Sequence, residues 1–167
     1  IWIPNDEVME QFISTVKVMG WGNIVVALET SERLLQATLS SDEETVAELI
    51  EQAHQANASI LKYNDENALS CVISLAYYSA QKNYTLHREM PAGKGFADIV
   101  FEPNRNCDLP ALIVELKWGH SAEEAVEQIK QKDYLDCLKN YSGEVLLVGV
   151  NYDKEKRHTC RIERVKV

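Results

Sequence analysis

A glutamate in the middle of an apolar run is the residue of this sequence that most needs a chemical explanation. Glu115 lies inside ALIVELKW (111–118), a segment that reads as a buried central strand. Burying an uncompensated carboxylate costs several kcal/mol. Strand side chains alternate, so Glu115 and Lys117 share one face while Val114 and Leu116 share the other. The preceding apolar segment, FADIV (96–100), carries a second acid, Asp98. Two acids on neighbouring strands form an oxygen-ligand pair suited to Mg²⁺, which keeps several waters and takes one or two carboxylates. A lysine beside them can touch a phosphate oxygen or an attacking water. The competing reading is a buried ion pair among Asp98, Glu115 and Lys117 with no chemistry. Glu66, placed where a helix begins, is on its own no more than a residue complementing the helix dipole.

These residues need elements to hold them, and the chain divides into two textures. Residues 1–60 read as helices. One is expected over about 5–18, capped by Asn5 or Asp6, and Gly20 and Gly22 end it. A second is expected over 24–39. A third is expected over 42–56, opened by a Ser41/Glu44 capping box. A further helix is expected over 65–81, carrying Leu69, Val72, Ile73, Leu75 and Ala76. Strands follow at about 84–89 and 96–101, joined by a turn at 91–95, and then at 111–117. Ser121 with Glu124 opens a helix expected to reach Leu138. A second buried strand at 144–151 and an edge strand at 159–165 close the chain. The resulting order is helical arm, α, β, β, β, α, β, β, an α/β class with residues 1–60 as an N-terminal arm or linker and 61–167 as the domain proper.

Charge places limits on partners. The chain carries a net −9, but residues 1–60 hold two basic residues against ten acidic ones, whereas 61–167 hold fifteen against sixteen. The acidity belongs to the arm. Within the remainder, Lys154, Lys156, Arg157, Arg161, Arg164 and Lys166 form a basic stretch that could meet phosphate, although charge alone favours a solvated C-terminal strand. Cys71, Cys107, Cys137 and Cys160 are far apart and the histidines are scattered, which argues against a zinc site and for reduced thiols, hence a cytoplasmic compartment. No apolar run reaches the roughly 20 residues of a membrane helix, and no secretory signal opens the sequence. The first residue is Ile1, so the chain reads as a piece of something longer.

Taken in order, Glu66, Asp98, Glu115-x-Lys117 and Gln128 resemble the PD-(D/E)XK nuclease superfamily, whose pattern is a helix glutamate, a strand aspartate, E-x-K and a trailing helix glutamine. More narrowly, the stretches IPNDEV (3–8), YNDEN (63–67), GKGFADIVFEP (93–103), ALIVELK (111–117) and EQIKQKDYLDCL (127–138) resemble the C-terminal nuclease-like domain of bacterial proteins with an ATPase-like N-terminal domain. The resemblance implies a restriction-endonuclease-like core with a mixed central β-sheet flanked by helices. It implies Asp98, Glu115 and Glu66 as ligands of Mg²⁺ or Mn²⁺, Lys117 as the group that positions water, and Gln128 as an orienting residue. Tyr134 matches less closely and reads by default as packing. Two departures stand out: Ala97 replaces the proline before the aspartate, and Phe96 stands where arginine is frequent, leaving Lys94 as a possible phosphate contact. The implied activity is phosphodiester hydrolysis in nucleic acid, DNA above RNA, with an ATPase-like domain of the same protein as partner. The alternative is a catalytically silent binding or regulatory module that keeps the fold.

Overall fold

The computed structural model describes residues 22–57, 73–74, 76–138, 141–152 and 157–167. The helix expected at 5–18 and most of that expected at 65–81, Glu66 included, lie outside the described residues.

Two helices lead. α1 (Gly22–Leu39) and α2 (Glu43–Asn57) lie close to the expected spans, but the joint between them differs. Ser41 is left-handed (φ 59°). It ends α1 with paired bonds from Ser41 N to Thr38 O and from Asp42 N to Ala37 O, a Schellman closure in which glycine is the usual residue. Asp42, not Ser41, then caps α2, its carboxylate accepting from Thr45 N (3.1 Å) and Thr45 Oγ1 (2.7 Å). Because Ser41 is spent on closing the first helix, the expected Ser41/Glu44 box does not form.

Among the described residues the sheet has five strands in the order β1-β2-β3-β4-β5, namely Tyr84–Ala92, Gly95–Pro103, Ala111–Trp118, Glu144–Tyr152 and His158–Lys166. All neighbours are antiparallel except β3 and β4, which run parallel. A parallel pair needs a crossover, and α3 (Ala122–Gln131) supplies it. The mixed α/β sheet flanked by helices is the restriction-endonuclease-like architecture expected from the sequence. β1 and β2 run further than expected, so the turn shrinks to Gly93-Lys94. Pro91 is accommodated because β1 is the edge strand among the described residues.

Each face of the sheet has its own core. One packs Phe101, Leu112, Val114, Leu146 and Val148 against Leu34, Leu35, Val46, Leu49 and Ile50 of α1 and α2. The other packs Ile113, Val145 and Leu147 against Val126 and Ile129 of α3 and against Tyr134 and Leu138. Glu43 ties α2 to β5 by accepting from Ile162 N (2.8 Å). Among the described residues no helix is long and apolar enough to cross a membrane.

α3 begins as expected, with Ser121 Oγ accepting from Glu124 N (3.1 Å). It stops at Gln131 instead of continuing to Leu138. In a continuing helix the Lys132 carbonyl would accept from Asp136 N; here it accepts from Lys94 N at the β1–β2 turn (2.9 Å). Asp133 turns left-handed (φ 56°), and Tyr134–Leu138 resumes as a 3₁₀ helix. Gly93 makes this docking possible, since its φ is 49° and a Cβ there would collide with the Lys132 and Asp133 backbone.

Candidate active site

The site grows from the place where β2 leaves β3. The ladder between them holds from Phe101↔Leu112 to Ile99↔Val114, and the next rank would set Asp98 opposite Glu115. Instead the Asp98 side chain replaces the backbone: Oδ2 accepts from Leu116 N at 2.8 Å. Glu89, which falls opposite Asp98 in the β1–β2 register, has φ 49°. The result fixes Asp98 beside the second half of β3.

Glu115 is 2% exposed. Its Oε1 accepts from Lys117 Nζ (3.3 Å) and from Gln128 Nε2, while Oε2 is buried without a hydrogen-bond partner among the described residues. Burial, and then the charge of Asp98, push the carboxyl up to about 7, against the opposing pull of Lys117 and Lys132. An acid under such pressure carries an orphaned oxygen that a cation would satisfy.

α3 completes the site because Gly149 lets it lie close. Gly149 is the β4 partner of Glu115. A Cβ there would run into the Ala122 carbonyl and would come within 3.0 Å of Ala125 Cβ and Val126 Cγ2. The helix can therefore press onto β4, which brings Gln128 to Glu115. Gln128 Nε2 also donates to the Tyr134 hydroxyl at 3.3 Å. Tyr134 is 1% exposed and packs beneath α3, so it carries both a packing role and one end of a hydrogen-bond chain to Glu115. An open cleft of about 420 Å³ lies over the site, lined by Lys117, His120, Glu124, Glu127, Gln128, Gln131 and Lys132.

Asp98, Glu115, Lys117 and Gln128 thus come together, while Glu66 lies outside the described residues. Lys94 is at the hairpin turn, where it pairs with Asp133 (3.3 Å). The basic stretch on β5 is partly committed within the chain. Arg161 pairs with Glu43 (3.4 Å), and Arg164 pairs with Glu144 (2.7 Å) and also donates to Leu39 O (2.8 Å). Lys154 and Lys156 lie outside the described residues. The sequence reading did not single out Lys132, Gly149 or Asn151, which occupies the rank beside Lys117. The last two stand in EVLLVGVN on the same alternation as each other, but only the parallel register shows that they face Glu115 and Lys117.

Among the described residues no three His, Cys, Asp or Glu side chains form a cluster able to hold a metal; the carboxylates that meet are two. Asp98, Glu115 and the partnerless Oε2 nevertheless suit a hard cation that retains most of its water. Residues 64–162, more than half of the chain, match a family model described as the PD-(D/E)XK nuclease superfamily. The matched span includes all four assembled residues and Glu66. No curated protein matches the chain.

Proposed function

The chain belongs to the PD-(D/E)XK nuclease superfamily, and we propose that it hydrolyses phosphodiester bonds in nucleic acid in the presence of Mg²⁺ or Mn²⁺. The observation that carries this reading is Glu115, a buried acid held by Lys117 and Gln128, pressed by Asp98 and left with one oxygen unpaired. Asp98 and Glu115 would hold the cation, with Glu66 as a further ligand on the strength of the family pattern. Bound there, a divalent cation supplies a Lewis acid that lowers the pKa of water and neutralises phosphate charge.

The chain's own residues would do the rest. Lys117, at the wall of the cleft, orients the attacking water and offsets the charge that develops on the phosphate. Gln128 holds the Glu115 carboxylate in place, and Tyr134 holds Gln128. DNA is the substrate to test first, because the core is of the restriction-endonuclease type. The resemblance of IPNDEV, YNDEN and EQIKQKDYLDCL to bacterial proteins with an ATPase-like N-terminal domain supports a place in such a protein, where that domain would supply substrate affinity or gating.

The test is cleavage of a panel of duplex, branched and single-stranded DNA and RNA by the protein, alone and with its full-length context restored. Mg²⁺- or Mn²⁺-dependent cleavage that disappears in Lys117→Ala, with folding retained, is expected. Cleavage surviving the loss of both Asp98 and Lys117 would refute the assignment. A folded, metal-binding protein that cleaves nothing in the panel would assign the chain instead to a silent binding module.

A further inference from the structure

Asn151 is buried at 6% exposure near the end of β4. Its Nδ2 donates to Thr159 Oγ1 at 3.4 Å, and its Oδ1 is buried without a hydrogen-bond partner among the described residues. Leaving such an acceptor unpaired is costly, and an apolar side chain of similar size would avoid the cost. Turning the amide over changes which atom reaches Thr159 but still leaves one end unpaired. The neighbour decides the orientation. Lys117 is the β3 partner of Asn151 in the parallel register, and an ammonium calls for oxygen rather than NH₂ beside it.

Both side chains lie on the α3 face. Lys117 lines the cleft together with Gln128 of α3. Asn151 follows Leu147 and Gly149 at the two-residue strand spacing, and both of those meet α3 or the core beneath it. Neighbouring strands lie about 4.8 Å apart, so the Lys117 stem is long enough to carry its ammonium to the Asn151 amide. At present the ammonium is on Glu115, 3.3 Å from Oε1, and the Lys117 side chain is only 17% exposed. Each ammonium has three donors, and this one has a single protein acceptor among the described residues.

We infer that Asn151 is a positioning residue of this site: its Oδ1 is the acceptor that takes the Lys117 ammonium when Glu115 is engaged by a cation. A cation seated at Oε2 sets a second positive charge against the ammonium held on Oε1 of the same carboxylate, which favours moving the ammonium away. Without a second acceptor, a largely buried ammonium released from Glu115 would be left unpaired or would swing out of the cleft. With Asn151, Lys117 moves one strand across and stays in the site. The role in cleavage rests on the nuclease reading above; the contact itself does not.

The contact can be tested with neither metal nor substrate. Glu115→Ala removes the competing carboxylate, and in a crystal structure of that variant Lys117 Nζ should lie about 3 Å from Asn151 Oδ1. Should Glu115→Ala fail to fold, Glu115→Leu, which also carries no acceptor, gives the same readout. An ammonium found in solvent or on any other group overturns the inference. Stability supplies a second readout: Asn151→Leu should lower the folding constant at least tenfold in the Glu115→Ala background and leave it unchanged or raise it in the parent. Equal effects in both backgrounds would make Asn151 merely structural. On any substrate the protein cleaves, Asn151→Leu should lower kcat at least tenfold with KM within twofold, and Asn151→Asp should restore it to within threefold. Contact without cleavage by the parent would leave the inference standing and remove the nuclease reading. Cleavage by the parent without the contact would do the reverse.

Discussion

Asp98 and Leu116 are joined by one hydrogen bond, carboxylate Oδ2 to backbone N–H at 2.8 Å, at the point where the β2–β3 ladder gives out. The acid is thus part of the strand junction as well as a candidate ligand. A carboxylate performing both tasks cannot drift from β3, because the backbone it is bonded to is the one that carries Glu115.

Two substitutions at Asp98 separate these tasks. Asp98→Asn keeps an oxygen for Leu116 N and removes the charge that presses on Glu115. It should fold, be as stable as or more stable than the parent without metal, and lose the rise in melting temperature produced by Mg²⁺. Asp98→Ala orphans the Leu116 N–H and should cost about 1–3 kcal/mol. Urea denaturation with and without Mg²⁺ checks both. An equal Mg²⁺ response in Asp98→Asn and the parent would remove Asp98 from the metal site.

Glu115 sets a pH dependence. Its carboxyl ordinarily titrates near 4.5 and is pushed up to about 7 in the fold, first by burial and then by Asp98. Between those values the folded protein holds a proton that the unfolded chain has released. Stability from this group is therefore complete below 4.5 and lost as pH rises through 7, a loss of up to roughly 3 kcal/mol. Metal-free protein should melt lower at pH 8 than at pH 5, and Glu115→Gln should flatten that slope. Divalent-ion binding has the opposite dependence, because it needs the carboxylate, and should strengthen by about tenfold per pH unit up to 7. A Glu115→Gln variant whose melting temperature tracks the parent across this range would contradict the assignment.

Gln128 and Tyr134 should behave differently although they touch. Gln128→Leu removes a donor from Glu115, so the carboxylate form loses support and the pH of half-maximal metal binding should rise. Tyr134→Phe keeps the buried ring and removes only the hydroxyl beyond Gln128. It should lower stability by about 1 kcal/mol or less and leave that pH in place. Isothermal titration with Mn²⁺ at several pH values distinguishes them, and equal shifts would mean that Gln128 cannot support Glu115 without the Tyr134 hydroxyl.

What could be read from the sequence follows from how local each cause is. ALIVELK and EVLLVGVN announce buried strands by composition alone, and Glu115 is conspicuous because it interrupts one of them. Asp98, Lys117 and Gln128 stand out as candidates by type and order, and the structure brings them to Glu115 and its strand. The end of α3 at Gln131 was not, because its cause is a bond from Lys94, far away in the chain, to the Lys132 carbonyl. The cap of α2 fell to Asp42 because Ser41 was committed to ending α1. Asn151 could not be assigned to the site without the β3–β4 register. Lys117↔Asn151 and Glu115↔Gly149 are alternate ranks of one parallel pair, and no spacing in the sequence encodes which residues share a rank.

Gly149 offers the sharpest test of how the site is held. It occupies the rank beside Glu115 and lies under α3, where any Cβ would collide with the Ala122 carbonyl and crowd Ala125 and Val126. A carbonyl in the first turn of a helix cannot yield like a side-chain tip, so Gly149→Ala must lift the N-terminal half of α3 from β4. Overpacking of this kind costs about 1–3 kcal/mol. Gln128 rides on the same helix and should be drawn away from Glu115, weakening divalent-ion binding although no ligand has been changed. Ala122→Gly in the same chain leaves the carbonyl in place and should not rescue the defect, whereas Val126→Ala, by relieving one of the three contacts, should recover part of the stability. Denaturation and Mn²⁺ titration of the single and double variants measure both effects. If Gly149→Ala destabilises the fold but binds Mn²⁺ as tightly as the parent, then α3 does not position Glu115, and Gln128 has no part in the site.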